Sequence, residues 1–144
     1  MFNKILVPLD GSSLAESALP IAIELAKIHH AKLILLRVAE GKPTFMENAL
    51  GSAWIAELDR IRADQAESVI YLENLMKTQP QLDGIAQTMV KVGSAASEII
   101  HITNREKIDL IVMSTHGRTG ILDLIMGSIA KKVVADSPCP VMLI

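Results

Sequence analysis

From Ser114 the chain runs S-T-H-G-R-T-G-I-L-D-L-I-M-G-S, directly after the apolar run Leu110-Ile111-Val112-Met113. Gly117 and Gly120 permit positive φ and leave no side chain between backbone and ligand. Gly127-Ser128 follows Gly117 after nine intervening residues, at the predicted start of a helix. A helix start offers unpaired N–H groups and roughly half a positive charge. Ser128 adds a hydroxyl donor there and Arg118 a fixed cation. Lys131 and Lys132 follow one turn in, where they are equally free to point into solvent. Strand end, glycine loop, basic residue and helix start together describe a phosphate cradle. Taken singly each is weak, because glycines after a strand also serve as plain turn makers.

Other reactive side chains are more ambiguous. Asp10, in P-L-D-G-S after the first apolar run, suits an Asx turn or a cap for the following helix. His116 is placed to donate to a phosphate or to pack in its turn, while His29 and His30 close a helix whose dipole they complement. His101 falls within a helix. With one cysteine, Cys139, and no His-x-x-x-His pair, no zinc site is expected. The chain lacks G-x-x-x-x-G-K-[ST], G-x-G-x-x-G after the first strand, and G-x-S-x-G. P-loop NTPases, Rossmann dinucleotide binders and elbow-type hydrolases are thereby disfavoured. The place where an ATP pyrophosphatase would carry its loop reads D-G-S-S, which does not fit.

Composition narrows the field further. At 144 residues the length suits a single domain, 1–144, with no legible linker or repeat. A net charge of −2 and 3% aromatic residues lack both the basic footprint and the stacking platforms of a nucleic-acid binder. No membrane span or signal peptide is legible, and the lone cysteine suits a reducing compartment, so a cytoplasmic protein is expected.

Behind these residues stand the elements that must position them. Ile5-Leu6-Val7, Leu33 to Leu36, Leu110 to Met113 and Val141 to Ile144 are near-continuously apolar, as strands covered on both faces require. A fifth run, Thr88 to Val92, is mixed and is expected nearer an edge. Between them lie helical patterns. Leu14, Ala18, Ile21, Ala22, Leu25 and Ile28 share one face, Ser12 or Ser13 is positioned to cap, and Pro20 is expected to kink the helix. A second helix carries Leu58, Ile61, Val69, Leu72 and Leu75, and a third uses Ile99 and Ile102. The last buries Ile129, Val133 and Val134 and is stopped by Pro138 and Pro140. Residues 39–54 are expected to form a mobile insertion. Alternation of strand and helix implies an α/β three-layer sandwich with parallel pairing and right-handed crossovers. Ligands of such sheets bind beyond the strand carboxyl ends, where strand order reverses.

From K-I-L-V-P-L-D-G-S through S-T-H-G-R-T-G and M-G-S to S-P-C-P-V-M-L-I, the chain resembles the universal stress protein family over its whole length. The resemblance implies a five-stranded parallel sheet of order 3-2-1-4-5 with helices on both faces. The family's nucleotide motif is Gly, two residues, Gly, nine residues, then Gly followed by Ser or Thr. Gly117 and Gly127-Ser128 match its later parts, and Ser114 stands in place of the first glycine. By resemblance the ligand is ATP, AMP or ADP, with Mg²⁺ in some states. Asp10 would then lie beside the ribose and phosphates, sharing a Mg²⁺ or accepting from a ribose hydroxyl. Val38 backbone groups would meet the adenine edge, with Pro8, Leu9 and Met113 as apolar walls. Ser114, His116, Gly117, Arg118, Gly127, Ser128, Ile129 and Ala130 would surround the sugar and phosphates. The family pairs its last strands about a two-fold axis, so a homodimer through Val141 to Ile144 is expected. The expected role is nucleotide-dependent stress signalling without catalysis. The alternatives are a dimeric interaction protein that binds no nucleotide, and a slow ATPase.

Overall fold

The computed structural model describes residues 1–41, 52–115 and 126–144. Five strands, β1 (Lys4–Leu9), β2 (Lys32–Glu40), β3 (Ala86–Gly93), β4 (Leu110–Met113) and β5 (Val141–Leu143), form one parallel sheet in the order β3-β2-β1-β4-β5. The expected order is thus observed, with the mixed run of β3 on an edge. Helices α1 (Ser13–Glu16), α2 (Leu19–His29) and α3 (Ser52–Thr78) cover one face; α4 (Ala95–Glu106) and α5 (Ser128–Asp136) cover the other.

Because successive strand side chains point to opposite faces, each central strand feeds two cores. Ile5, Val7 and Leu9 of β1, Leu33 and Leu35 of β2, and Leu110 and Val112 of β4 pack under α1, α2 and α3. Leu6, Ile34, Leu36, Val38, Ile111 and Met113 pack under α4 and α5 with Ile99, Ile102 and Val133. Full burial of each such side chain stabilises by roughly 1.5–3 kcal/mol. Asp109 ties the two halves together at the amino ends of the strands: Asn3 N and Lys4 N donate to its Oδ2 at 2.7 and 2.9 Å. Those two amides, Lys4 first, hold its carboxyl below the usual range.

Several helix faces differ from expectation. The first helix is two pieces: Ser12 caps α1 by accepting from Ala15 N, and α2 restarts at Leu19 with Pro20 in its first turn. There its missing N–H costs no hydrogen bond. The face turned to the core nevertheless runs on through the break at steps of three and four, as Ala15, Ala18, Leu19, Ala22, Ile23 and Ala26, beside the face that was expected. Leu14, Ile21 and Ile28 are exposed instead, Ile28 at 64%. In α3 Leu72 and Leu75 are buried as expected but Val69 is exposed. In α5 Ala130 and Val133 pack inward, while Ile129 and Val134 are open to solvent. Ala39 and Glu40 are not insertion but strand, paired with Val92 and Gly93 of β3, and α3 already begins at Ser52. The remainder of the expected insertion, residues 42–51, lies outside the described residues. His29 packs edge-on against Phe2 and His30 caps α2 in the left-handed region, both structural uses.

The corrected face of α2 makes a paired test. Ile23→Ala is expected to cost about 2–5 kcal/mol, and Ile28→Ala to stay within about 0.5 kcal/mol of wild type. Urea unfolding of the two variants checks this; equal losses would put Ile28 back on the buried face.

Candidate functional site

A cavity of about 590 Å³ opens at the carboxyl ends of β1, β2 and β4. Strand order makes this the switch point: β1 is followed in sequence by its neighbour β2 on one side, and β4 lies on the other. Connections to β2 and β3 cover one face and those to β4 and β5 the other, so the chain ends splay apart here and leave a crevice.

Three walls are built from strand ends. Pro8, Leu9 and Asp10 come from β1 and the residue after it, Leu36, Arg37 and Val38 from β2, and Met113, Ser114 and Thr115 from the end of β4. The start of α5 closes the crevice with Gly127, Ser128, Ile129 and Ala130. Gly127 N donates to Thr115 O at 2.9 Å, which fixes the helix start against the end of β4. Thr115 is itself anchored by its N–H and hydroxyl on Ile144 O, at 3.1 and 3.3 Å.

The N-cap of α5 is Gly127, which brings no side-chain cap, and among the described residues none is found. The first-turn amides of the helix therefore lack intrahelical partners and carry the positive end of the dipole. The capping residue Gly127 sits at φ −57°, ψ 153°, an extended conformation that turns the chain into the helix. An uncapped helix start facing a cavity is an anion-binding arrangement.

Asp10 adopts the Asx turn weighed for it: Ser12 N and Ser12 Oγ donate to its Oδ1 at 2.9 and 2.5 Å. The carboxylate is thereby held at the rim of the cavity rather than free to swing. Opposite the β1 end, α3 is latched to β2. Glu40 N donates to Asp64 Oδ2 at 3.1 Å, and Arg60 Nη2 donates to Glu40 O at 3.2 Å. The Glu57 carboxylate, 2.8 Å from Arg60 Nη2, orients that guanidinium and raises its pKa.

Ten of the thirteen residues expected around a ligand thus line one cavity: Pro8, Leu9, Asp10, Val38, Met113, Ser114, Gly127, Ser128, Ile129 and Ala130. His116, Gly117 and Arg118 lie outside the described residues. Sequence reasoning missed Arg37, Arg60, Asp64 and Glu67. Arg37 carried a signal, a single charge inside L-I-L-L-R-V-A. Arg60, Asp64 and Glu67 share one helical face, but spacing alone does not say that this face meets a strand end. Glu98 and His101 stand three apart on α4, yet among the described residues no three acidic, histidine or cysteine side chains gather as a metal site. Also among the described residues, no helix is long and apolar enough to cross a membrane.

The profile of the Universal stress protein family matches residues 1–144. The chain belongs to that family. Curated universal stress proteins agree with it end to end. The YxiE protein of Bacillus subtilis is 32% identical over 100% of this chain and 99% of its own length. A Thermus aquaticus member is 34% identical over 100% and 99%. Among solved structures, the universal stress protein UspA from Lactobacillus plantarum superposes with a TM-score of 0.85 at 25% identity, covering 99% of this chain and 97% of its own. Two more distant universal stress proteins share the fold and hold ligands in their crystals. One is in complex with cAMP (TM-score 0.62, 20% identity, coverage 99% and 96%). An Arabidopsis thaliana member has AMP bound (TM-score 0.65, 18% identity, coverage 99% and 90%).

At the rim of this universal stress protein's cavity the Ser12 hydroxyl both donates to Asp10 and caps α1, while the Asx turn keeps the Ser12 backbone N–H. Ser12→Ala is expected to lower stability by about 1 kcal/mol, measured as a fall in the urea midpoint at unchanged slope.

Proposed function

We propose that this universal stress protein is a cytoplasmic stress-response protein that binds an adenine nucleotide, ATP or AMP, in the cavity at the strand ends. The observation that carries the reading is the uncapped start of α5 opening onto that cavity beside Gly127 and Ser128. Phosphates meet the amides of Ser128, Ile129 and Ala130. The base lies against Pro8, Leu9 and Met113, with its edge on the Val38 backbone. Asp10 accepts from a ribose hydroxyl, or takes one place on a Mg²⁺ whose remaining oxygens come from phosphate and water. The cAMP- and AMP-bound relatives support the choice of adenine nucleotide by analogy. His116, Gly117 and Arg118 enter by their place in the motif alone.

The protein acts by binding, not turnover. Asp10, a carboxylate at the rim of the cavity, has its Oδ1 occupied by two donors from Ser12 and is poorly placed as a base. Ser114 in place of the motif's first glycine favours a second reading, a partner-binding protein without nucleotide. Both readings include a homodimer. β5 is an edge strand, and Met142 is 36% exposed on it.

Calorimetry with ATP and Mg²⁺ decides between the readings. Micromolar affinity, about −8 kcal/mol, is expected; no heat of binding at millimolar ligand leaves the second reading. Ser128→Pro sharpens the test. Gly127 already has the extended conformation that a following proline demands, so the variant deletes an N–H and a hydroxyl without breaking the helix. It is expected to weaken ATP about tenfold or more and to leave adenosine unchanged. Light scattering tests assembly: wild type is expected as a dimer and Met142→Lys as a monomer, since a lysine on an edge strand discourages pairing.

A further inference from the structure

The crevice at the strand ends is electrically lopsided. Its β4 side carries the positive start of α5. Its β1–β2 side, among the described lining residues, carries Asp10, Glu40, Asp64 and Glu67 against Arg37 and Arg60. Carboxylates so placed repel an anion on its way to the helix start. Arg60 is engaged by Glu57 at 2.8 Å. Among the described residues, Arg37 is the lining cation left to oppose them.

Two of those carboxylates share a second space with it. A hollow of about 190 Å³ between the start of α1 and α3 is lined by Asp10, Gly11, Ser12, Arg37, Glu67 and Tyr71. Asp10, Arg37 and Glu67 line the large cavity as well. The hollow is no anion site itself, because its hydroxyls are spent: Ser12 Oγ donates to Asp10 Oδ1, and the Tyr71 hydroxyl to Glu16 Oε1 at 2.8 Å. Burial above all, then the Glu16 bond, keeps the phenol protonated far above neutrality, and on it Arg37 and Asp10 act with opposite sign.

Neither packing nor latching explains the burial of Arg37. By strand alternation it falls on the same sheet face as Leu33 and Leu35, and it is only 6% exposed. Buried polar groups are normally satisfied, as Ser68 Oγ is on Asp64 O at 2.7 Å. Arg37 Nε has no hydrogen-bond partner. The ion pairs among the described residues involve Lys4, Arg60, Arg62 and Arg105 instead. A residue kept for packing would be apolar, and one kept as a latch would be bonded. A guanidinium cannot shed its charge, and in poorly polarisable surroundings that charge reaches further than in water. What the site gains from Arg37 is field, not contact.

We propose that Arg37 is the internal counter-ion of the cavity: without touching the ligand it offsets Asp10 and Glu67, and so sets how much negative charge a ligand can bring. Arg37 stands towards the end of β2 and α5 starts beyond β4, with β1 between them. Two inter-strand spacings separate these ends, about 10 Å. One phosphate cannot meet both, but its charge is felt across that gap. The inference rests on the reading of the large cavity as a nucleotide site.

Calorimetric titration with adenosine, AMP and ATP, at low salt and without divalent cations, tests it, because ligand charge rises along that series. Relative to adenosine, ATP is expected to lose about fivefold or more in affinity in Arg37→Met and to gain about twofold in Glu67→Gln. The double variant is expected to lie between the two single ones. Arg37→Lys, which keeps the charge and loses the fork, is expected to keep the wild-type ratio. These differences shrink as added salt cuts the Debye length from about 30 Å to about 8 Å, which a packing defect would not do. An Arg37→Lys protein as weak as Arg37→Met overturns the inference, since that is the mark of direct contact. A double variant no better than Arg37→Met overturns it equally. Should Arg37→Met not fold, Arg37→Gln replaces it; should neither fold, an unchanged ratio in Glu67→Gln is enough to overturn it. Binding of all three ligands with one ratio in every variant removes the inference and leaves the nucleotide reading standing. Failure of every ligand to bind the wild type removes both.

Discussion

A parallel sheet covered on both faces has room for polar chemistry in few places. Its amides and carbonyls are spent on the ladder and its side chains on two apolar cores, with β1, β2 and β4 buried almost end to end. Only where the strands stop do backbone groups come free and side chains meet water. The polar lining of the cavity sits on that border: Asp10 after β1, Arg37 towards the end of β2, Ser114 after β4, and the start of α5. The site is where the core runs out, and its position follows from strand order more than from any one residue.

This also explains what could be read without coordinates. Strands buried on both faces leave a strong trace, because nearly every position is apolar; β1, β2 and β4 were legible for that reason, and β3 as an edge because Thr88 and Lys91 interrupt it. Helix faces were harder. Counting in steps of 3.6 from Leu14 chose the stripe that carries Ile21 and Ile28, whereas the buried stripe, Ala15 to Ala26, is richer in alanine and lies on the adjacent face. The long α3 carries few buried residues, so its pattern was faint. The motif half of the cavity was legible through glycines and a helix start; the α3 half was not, since Arg60 and Asp64 become informative only once β2 is known to end beside them.

The two halves of the cavity are held in different ways. On the β4 side the geometry is backbone to backbone, Gly127 to Thr115 and Thr115 to Ile144, and so depends little on side-chain identity. On the α3 side it depends on side chains, the exposed Arg60 and the half-buried Asp64 and Glu57, whose pairing at the surface is weak in water. The first is the rigid wall and the second the adjustable one. Relatives with the same sheet can therefore differ in what they admit by changing a few side chains along α3 and at the end of β2.

The bond from Gly127 to Thr115 has a consequence for how such proteins diversify. It fixes the start of α5 directly to the end of β4, so their relation does not rest on the residues between them. The entropic cost of lengthening a flexible connection grows only logarithmically, about 0.6 kcal/mol per doubling of length. Fold stability alone would therefore allow other lengths, and the nine-residue spacing of the motif is a constraint for the ligand to hold, not for the helix and the sheet.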